Sequence, residues 1–273
     1  ENKIGNVGEI NISLINALKA AGLNAELVLI STRENGFATK VYPVISDFNY
    51  VIAKVNLDQK FYLLDATVKL AHFGLLPFRS LNSYGRVMDF ENDSYWLDII
   101  PETKSKTKLT ANLILNEDES ISGKLRKSRL GYDALSRRKE IHNKSEDDII
   151  LGFENGFNNL EVISYKVQNK VETDKPLIET FEFSIENSED LNKHYLNPFF
   201  DEKFSKNPFK QENRLYPVDF GHSKQYSVYF SLEIPENYSI ESLPESKSFV
   251  LPGNGGNFNY LIRKNNDYKI TLI

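Results

Sequence analysis

The side chains that could carry acyl-transfer chemistry in the first part of this sequence are two hydroxyls, a histidine and an aspartate. Ser13 and Ser31 are candidate nucleophiles, His72 is a candidate base, and Asp65 could orient that base. A serine, a histidine and an acid perform nucleophilic hydrolysis when hydrogen bonds join them. Neither serine lies in a G-x-S-x-G turn, so this site is an alternative hypothesis and not the leading one.

The stretch GNVGEIN, residues 5–11, has the surroundings of a reactive site but lacks a reactive side chain. It opens into the amphipathic segment ISLINALKAAG, and unpaired backbone N–H groups and the dipole at a helix start stabilise an anion. Val7 occupies that place, and the chain contains no cysteine. Thiol catalysis, thiolate metal sites and disulfides are therefore excluded.

The hydrophobic pattern predicts the elements that would position these residues. Apolar residues at helical spacing predict a helix over residues 8–21. AELVLIS predicts a strand over residues 25–31, and NYVIAKVNL and KFYLLDA predict an antiparallel hairpin around Asp58 that ends at Asp65. Residues 68–103 are predicted to be mostly irregular.

The second part of the sequence changes character after a charged, proline-containing stretch at residues 101–106, which we interpret as a linker. Alternating apolar and polar residues then predict antiparallel strands, interrupted by two short helices, the second of which begins at Ser145. We therefore predict a first domain over residues 1–103 and a β-sandwich-like domain over residues 104–273.

Composition limits the partners. The net charge is -5 and neither part is strongly basic, so we expect no nucleic-acid partner. No run approaches the ~20 apolar residues of a membrane span, so we expect no transmembrane segment in these residues. The four histidines and the acidic run at Glu146 lack ligand spacing, and we expect no metal and no cofactor.

Several segments taken together resemble bacterial transglutaminase-like proteins. They are GNVGEIN, GLNAELVLISTRENG, the YP that begins at Tyr42, FNYVIAKV, YLLDAT and LNSYGR, with LNPFF, RLYPVDFG and IPENY in the part that resembles the trailing domain. The resemblance implies an α+β fold with a transglutaminase-like (papain-like) core and a mainly antiparallel β-sandwich-like C-terminal domain. It also implies a periplasmic or cell-surface location.

In that family a cysteine at the helix start is the nucleophile, a histidine on a following strand is the base, and an aspartate orients the histidine. These positions correspond to Val7, Tyr50 and Asp65 in this sequence. A phenol with a pKa of about 10 does not serve as an imidazole base near neutrality. The resemblance therefore implies a pseudoenzyme with a degenerate triad.

Polar residues that the family motifs place near the former cleft form a candidate binding site. They are Glu9, Asn11, Arg33, Asn49, Tyr50 and Asp65. Asp65 is either a relic of the triad or a structural acid that hydrogen-bonds Tyr50 or Asn49. The other polar residues either stabilise the core or bind a protein, peptide or glycan ligand.

One local charge imbalance stands out in the second part of the sequence. It consists of Lys124, Arg126, Lys127, Arg129, Arg137, Arg138 and Lys139. Our interpretation is a solvated strand and helix face, and contact with an anionic glycan, lipid headgroup or acidic partner is the alternative.

The resulting hypothesis is a non-catalytic binding or scaffolding module of the bacterial cell envelope. The chain begins almost inside a motif, so we expect it to be an N-terminally truncated fragment. The alternative is a peptidase or hydrolase that uses a non-cysteine nucleophile or residues outside this fragment. The oligomeric state is not predicted.

Overall fold

The computed structural model describes residues 4–186, 196–200, 206–207, 209–213 and 218–273. The chain divides into two compact units. The first comprises the chain up to Ser105, together with Ala134–Ser136 and Val218–Lys224, and the second comprises the remainder. Residues 214–217, in the first half of the RLYPVDFG segment, lie outside the described residues.

The first unit is an antiparallel sheet with one α-helix. Its elements are α1 (Val7–Ala20), β1 (Asn24–Ile30), β2 (Tyr50–Leu57), β3 (Lys60–Leu64), β4 (Tyr84–Met88) and β5 (Tyr95–Asp98). The strand order is β3-β2-β1-β4-β5, and each neighbouring pair is antiparallel. The predicted helix and the hairpin that turns at Asp58 are confirmed to within one residue at the helix ends.

A capping box fixes where α1 begins. The Asn6 side chain accepts a hydrogen bond from the Glu9 backbone at 3.0 Å, and the Glu9 carboxylate accepts one from the Asn6 backbone at 2.8 Å. These bonds satisfy two backbone donors that the first turn leaves unpaired. Farther along, Ile15 packs with Ala25 and Ala53 in a buried cluster that joins the helix to the sheet.

Residues 68–103 are mostly irregular, as predicted, but they also contain β4 and β5, which extend the sheet on the far side of β1. Gly85 lies within β4, where it pairs with Ile30 at the end of β1. A Cβ atom on Gly85 would lie 2.7 Å from Val28 Cγ1 and 2.8 Å from Ile30 Cγ2. Glycine here permits close packing and does not interrupt the strand.

The remaining two α-helices and nine strands of the described residues lie wholly or mostly in the second unit. They are β6 (Ser105–Leu115), β7 (Ile121–Leu130), α2 (Tyr132–Asn143), α3 (Glu146–Glu154), β8 (Leu160–Gln168), β9 (Leu177–Ile185), β10 (Lys224–Glu233), β11 (Lys247–Leu251), β12 (Gly256–Tyr260), β13 (Ile262–Asn266) and β14 (Lys269–Leu272). Seven strands form one sheet in the order β13-β14-β10-β6-β7-β9-β8, and β11 and β12 form a two-stranded sheet. The two short helices, and the capping box of Ser145 with Asp148, are confirmed.

The predicted α+β fold, with a papain-like core and a β-sandwich-like second domain, is wrong. The described residues contain fourteen strands and three α-helices, and α1 is the one complete α-helix among the described residues of the first unit. In the second unit, helix α3 covers the seven-stranded sheet, since Phe153 stacks on Phe181 of β9 with ring centroids 4.4 Å apart. A helix therefore buries apolar surface that a facing sheet would bury in a sandwich.

Candidate functional site

The carboxylate of Asp65 is the centre of a hydrogen-bond network in the first unit. Asp65 directly follows β3, and its side chain has no exposed surface. Its Oδ1 atom accepts hydrogen bonds from Asn11 Nδ2 at 3.1 Å, Thr67 N at 2.9 Å and Thr67 Oγ1 at 2.7 Å. Its Oδ2 atom accepts one from the Tyr50 hydroxyl at 2.8 Å and lies 3.6 Å from Arg79 Nη2. Asn11, Tyr50, Asp65, Thr67 and Arg79 are called the Asp65 network below.

Asn11 connects α1 to both strands of the hairpin. Asparagine is a poor residue for a helix interior, but here the side chain is fully buried and its hydrogen bonds are made outside the helix. Its Nδ2 atom donates to the Val51 carbonyl at 2.8 Å as well as to Asp65, and its Oδ1 atom accepts from Ala66 N at 2.8 Å. Asn11 thus holds the helix start and the end of β3 together.

Tyr50 occupies the first position of β2 and is 8% exposed. Burial raises the pKa of its phenol above the ordinary value, and the hydrogen bond to Asp65 acts in the same direction. The phenol therefore stays protonated near neutrality and acts as a donor to the carboxylate. It does not act as a base.

Arg79 closes the network on its exposed side. It lies in a 3-10 turn at Phe78–Ser80, and its side chain is 44% exposed. Its Nε donates to the Tyr50 hydroxyl at 3.0 Å, its Nη2 donates to both Tyr50 and Thr67, and its guanidinium lies 5.0 Å from the centre of the Tyr50 ring. The positive charge next to Asp65 offsets part of the cost of burying a carboxylate.

The arrangement leaves Asp65 without a histidine to orient. Among the described residues, no hydrogen bond joins His72 to Asp65, Ser13 or Ser31. Ser31 is 3% exposed, and its hydroxyl accepts a hydrogen bond from Asn35 at 3.0 Å. The residues of the serine hypothesis are therefore not assembled in the described structure.

The remaining candidate residues lie outside the Asp65 network. Glu9 caps α1, as described above. Asn49 accepts from Thr32 N and donates to Thr32 Oγ1, both at 2.9 Å. Arg33 donates to the carboxylate of Asp219 at 2.8 Å and stacks over Phe78 at 4.6 Å. Of the six predicted residues, the structure thus brings together Asn11, Tyr50 and Asp65.

Val7 is the first residue of α1 and is half-buried. Arg79 belongs to the network but is not among the residues predicted from the sequence. Thr67 is the last residue of the segment YLLDAT quoted above, and its backbone N–H donates to Asp65. No local pattern marks Arg79, because its role depends on a turn that returns to Tyr50 from 29 residues away.

The described residues contain no group of three or more histidine, aspartate or glutamate side chains that could hold a metal ion. No helix in the described part of the chain combines the length and apolar character that crossing a membrane requires.

The interpretation of the basic cluster as a solvated face is wrong for three of its members. Lys127, Arg129 and Arg138 are 3%, 8% and 2% exposed. Arg138 donates to the carbonyls of Asn169, Glu172 and Lys175 at 3.3 Å or less, and so holds the connection between β8 and β9. The alternation of β7 places Lys127 and Arg129 on its covered face, whereas Arg138 lies on α2.

The buried carboxylate of Glu179 explains why so much positive charge lies inside the second unit. Its side chain has no exposed surface. Arg137 forms a bidentate pair with it at 2.6 and 2.9 Å, Arg129 donates at 2.7 Å, and the Tyr165 hydroxyl donates at 2.9 Å. Burial alone would raise the pKa of Glu179, but the hydrogen bond and charge of Arg137 and the charge of Arg129 outweigh it and lower the pKa.

The first prediction tests the Tyr50 hydroxyl. Tyr50→Phe removes a donor to Asp65 and leaves a buried carboxylate short of one hydrogen bond. We expect the free energy of unfolding, measured by urea denaturation, to fall by about 1–3 kcal/mol. Tyr62→Phe on β3 is the matched control and should change it by less than about 0.5 kcal/mol. Equal values for the two variants would contradict a stabilising role for the network.

The second prediction concerns acid stability. The pKa of Glu179 in the folded protein lies below its reference value of 4.5. Its contribution to the free energy of unfolding is therefore complete above that pH, and it is lost as the pH falls through the folded pKa. Glu179→Gln should lower the free energy of unfolding at pH 7 by about 3–5 kcal/mol and flatten its decline between pH 5 and pH 3, approximately.

Glu182→Gln is the control for this measurement, because Glu182 lies on the same strand but forms an exposed pair with Lys124 at 2.8 Å. Its unfolding curve should follow that of the unmodified protein across the pH range. If the free energy of unfolding of Glu179→Gln declined with falling pH as steeply as that of this control, Glu179 would not be the cause of the decline.

Comparisons with known proteins add one match, in the C-terminal part of the chain. Residues 192–273 match a family described as a domain of unknown function with a solved structure, DUF3858. The match covers less than a third of the chain and includes β10 to β14. Searches of curated proteins and of solved structures found no match.

Proposed function

We propose that this chain is a non-catalytic binding or scaffolding module of the bacterial cell envelope, related to transglutaminase-like proteins through the sequence segments quoted above. The hydrogen bonds of the Asp65 carboxylate are the observation that supports a non-catalytic role. The carboxylate accepts hydrogen bonds from Asn11, Tyr50 and Thr67, and none of these groups can act as a base near neutrality. The envelope location rests on the resemblance of the segments alone.

An exposed apolar segment supports the binding part of the proposal. Phe37, Val41, Tyr42, Val44 and Ile45 lie within nine residues and are 51% to 82% exposed. Contiguous exposed apolar residues on a folded protein are typical of contact sites for other proteins. We name residues 37–45 the apolar segment.

Contacts at one side hold the apolar segment against the sheet. The Phe37 ring stacks on Tyr84 at 6.2 Å, the Tyr84 hydroxyl donates to the Ala38 carbonyl at 2.7 Å, and Lys40 Nζ lies 4.0 Å from the centre of the Tyr84 ring. A surface that is held in place loses little conformational entropy on binding. The aliphatic side chains favour a protein partner over a glycan.

The third prediction restores the missing chemistry. In the double variant Val7→Cys with Tyr50→His, the introduced thiol would lie at the start of α1 and the introduced imidazole next to Asp65. A helix N-terminus and a neighbouring imidazolium lower a thiol pKa. We expect alkylation by iodoacetamide at pH 6 to be about tenfold faster than for Val7→Cys alone, measured by mass spectrometry.

Equal alkylation rates in the two variants would contradict the proposal that Val7 and Tyr50 occupy the positions of a former thiol nucleophile and its histidine. The unmodified chain should not react with a fluorophosphonate probe. Labelling of a serine in the unmodified chain, lost in His72→Ala, would overturn the non-catalytic proposal in favour of a hydrolase.

The fourth prediction tests the apolar segment as a binding surface. The triple variant Val41→Ser, Tyr42→Ser, Ile45→Ser should lose a protein that the immobilised unmodified chain retains from an envelope extract of the source bacterium, as quantified by mass spectrometry. Its free energy of unfolding should change by less than about 1 kcal/mol, because the side chains are exposed.

The control is the pair Ile163→Ser and Val171→Ser in the second unit, which are 69% and 68% exposed. This variant should retain the same protein as the unmodified chain. If no retained protein depends on the apolar segment, or if only glycan is retained, the protein-binding proposal fails.

A further inference from the structure

Two aromatic rings form a corner on the sheet of the first unit, where β4 pairs with β5. Tyr84 lies opposite Asp98, and Arg86 lies opposite Trp96. Because opposite residues and residues two positions apart share a face of a sheet, Tyr84 and Trp96 project from the same face. Their rings meet at 88°, with centroids 5.3 Å apart. Tyr84 and Trp96 are called the aromatic cage below.

Contacts with other residues hold both rings of the aromatic cage in place. The Tyr84 hydroxyl donates to the Ala38 carbonyl at 2.7 Å, and the Phe48 ring lies beside Trp96 with centroids 6.1 Å apart. Both Tyr84 and Trp96 are half-buried. A site with walls that are already in place loses little conformational entropy when a ligand binds.

A cation of the chain itself lies in the aromatic cage. The Nζ atom of Lys40 is over both rings, 4.0 Å from the centre of Tyr84 and 5.9 Å from the centre of Trp96. The guanidinium of Arg86 also lies over Trp96, at 5.2 Å. The face of an aromatic ring attracts positive charge through its quadrupole. The position of Lys40 therefore indicates the type of group that this space accepts.

The interactions that hold Lys40 in the cage are weak. Its side chain is 46% exposed, and its ion pair with Asp98, which is 70% exposed, spans 4.0 Å. Ion pairs and cation–π contacts at exposed positions contribute little stability. Lys40 can leave without releasing the apolar segment, because the Tyr84 hydroxyl still donates to Ala38 and Phe37 still stacks on Tyr84.

Hydration and attachment restrict what can replace Lys40. A second primary ammonium group would gain no more from the rings than Lys40 does, and Lys40 has the advantage of being attached to the chain. A primary ammonium group is also strongly hydrated. A quaternary ammonium group is the cation that aromatic cages recognise best, because its methyl groups contact the ring faces. Exchange of one cation for another leaves the charge balance with Arg86 and Asp98 unchanged.

We propose that the aromatic cage is a binding site for a ligand with a quaternary ammonium group, which replaces the ammonium group of Lys40. The ligand cation lies over the rings of Tyr84 and Trp96, near the carboxylate of Asp98. Lys40 is then an internal competitor that lowers the affinity for the ligand. The proposal does not rest on the function proposed above, because the two rings bind the cation whether or not the apolar segment binds a protein.

Trp96 reports on the site directly, because it is the one tryptophan in the sequence. The test titrates the full chain at constant ionic strength with choline, ethanolamine and 3,3-dimethyl-1-butanol, and follows tryptophan fluorescence. These probes carry a quaternary ammonium group, a primary ammonium group and an uncharged group with the shape of the first. Choline should change the emission saturably, and the other two should bind at least about tenfold more weakly.

Equal affinities for the three probes would overturn the proposal. The same holds if choline causes no saturable change in either the unmodified chain or Lys40→Ala.

Two variants assign binding to the aromatic cage. Lys40→Ala removes the internal competitor at an exposed position, so it should fold normally and bind choline about threefold more tightly. Tyr84→Leu keeps an apolar side chain but removes one ring, and it should bind choline at least about tenfold more weakly. Urea denaturation checks that each variant is folded. Unchanged choline affinity in both variants would contradict binding in the cage.

Lys19→Ala is the matched control for Lys40→Ala. Lys19 is an exposed residue of α1 in the same unit, and its loss changes the net charge by the same amount. This variant should bind choline as the unmodified chain does. A gain in affinity equal to that of Lys40→Ala would show that net charge and not competition determines binding, and would contradict the proposal.

Free solutes and the head group of phosphatidylcholine carry the same quaternary ammonium group, and cosedimentation with phosphatidylcholine vesicles separates these sources. Vesicle binding that free choline abolishes would assign the cage to a lipid head group. Saturable choline binding without vesicle binding would assign it to a soluble ligand.

Discussion

A carboxylate with no exposed surface must find its hydrogen-bond donors and its counter-charge within the protein, and the first unit depends on this requirement at Asp65. Unpaired burial of such a group is among the most costly arrangements in a folded protein. Its partners come from α1, from the start of β2, from the residues after β3 and from the 3-10 turn at Phe78–Ser80. One acid therefore sets the relative positions of four segments of the chain.

The second unit meets the same requirement in another way. Glu179 is surrounded by two guanidinium groups and a phenol, whereas Asp65 has mainly neutral donors and one half-exposed arginine. The excess of positive charge around Glu179 is therefore a structural counterpart of one buried acid. Arginine suits this role because its planar fork matches both carboxylate oxygens. A cluster of basic residues in a sequence can thus belong to the protein interior, where it pairs with a buried carboxylate, and need not form an exposed charged surface.

The sequence allowed prediction of features that depend on neighbouring residues. Helix α1, the β2–β3 hairpin and the cap at Ser145 follow from periodicity, turn residues and capping patterns that act within a few positions. The hydrogen bond between Tyr50 and Asp65 was considered because both residues belong to that hairpin. Arg79 and the strand containing Gly85 were not predictable in this way, because their roles depend on what lies across the sheet. For the same reason, alternation along β6 and β7 indicated one covered face but did not distinguish a covering helix from a second sheet.

The Asp65 network also bears on the order in which the first unit acquires its structure. Its bond from Asn11 to Asp65 joins residues 54 positions apart, and the bond from Asn11 to Ala66 joins residues 55 apart. Closing loops of this length costs chain entropy before any contact compensates for it. The hairpin can pair locally, but the carboxylate acquires its full set of donors only when the helix has docked. We therefore expect the contacts of Asp65 to form late in folding and not in its nucleus.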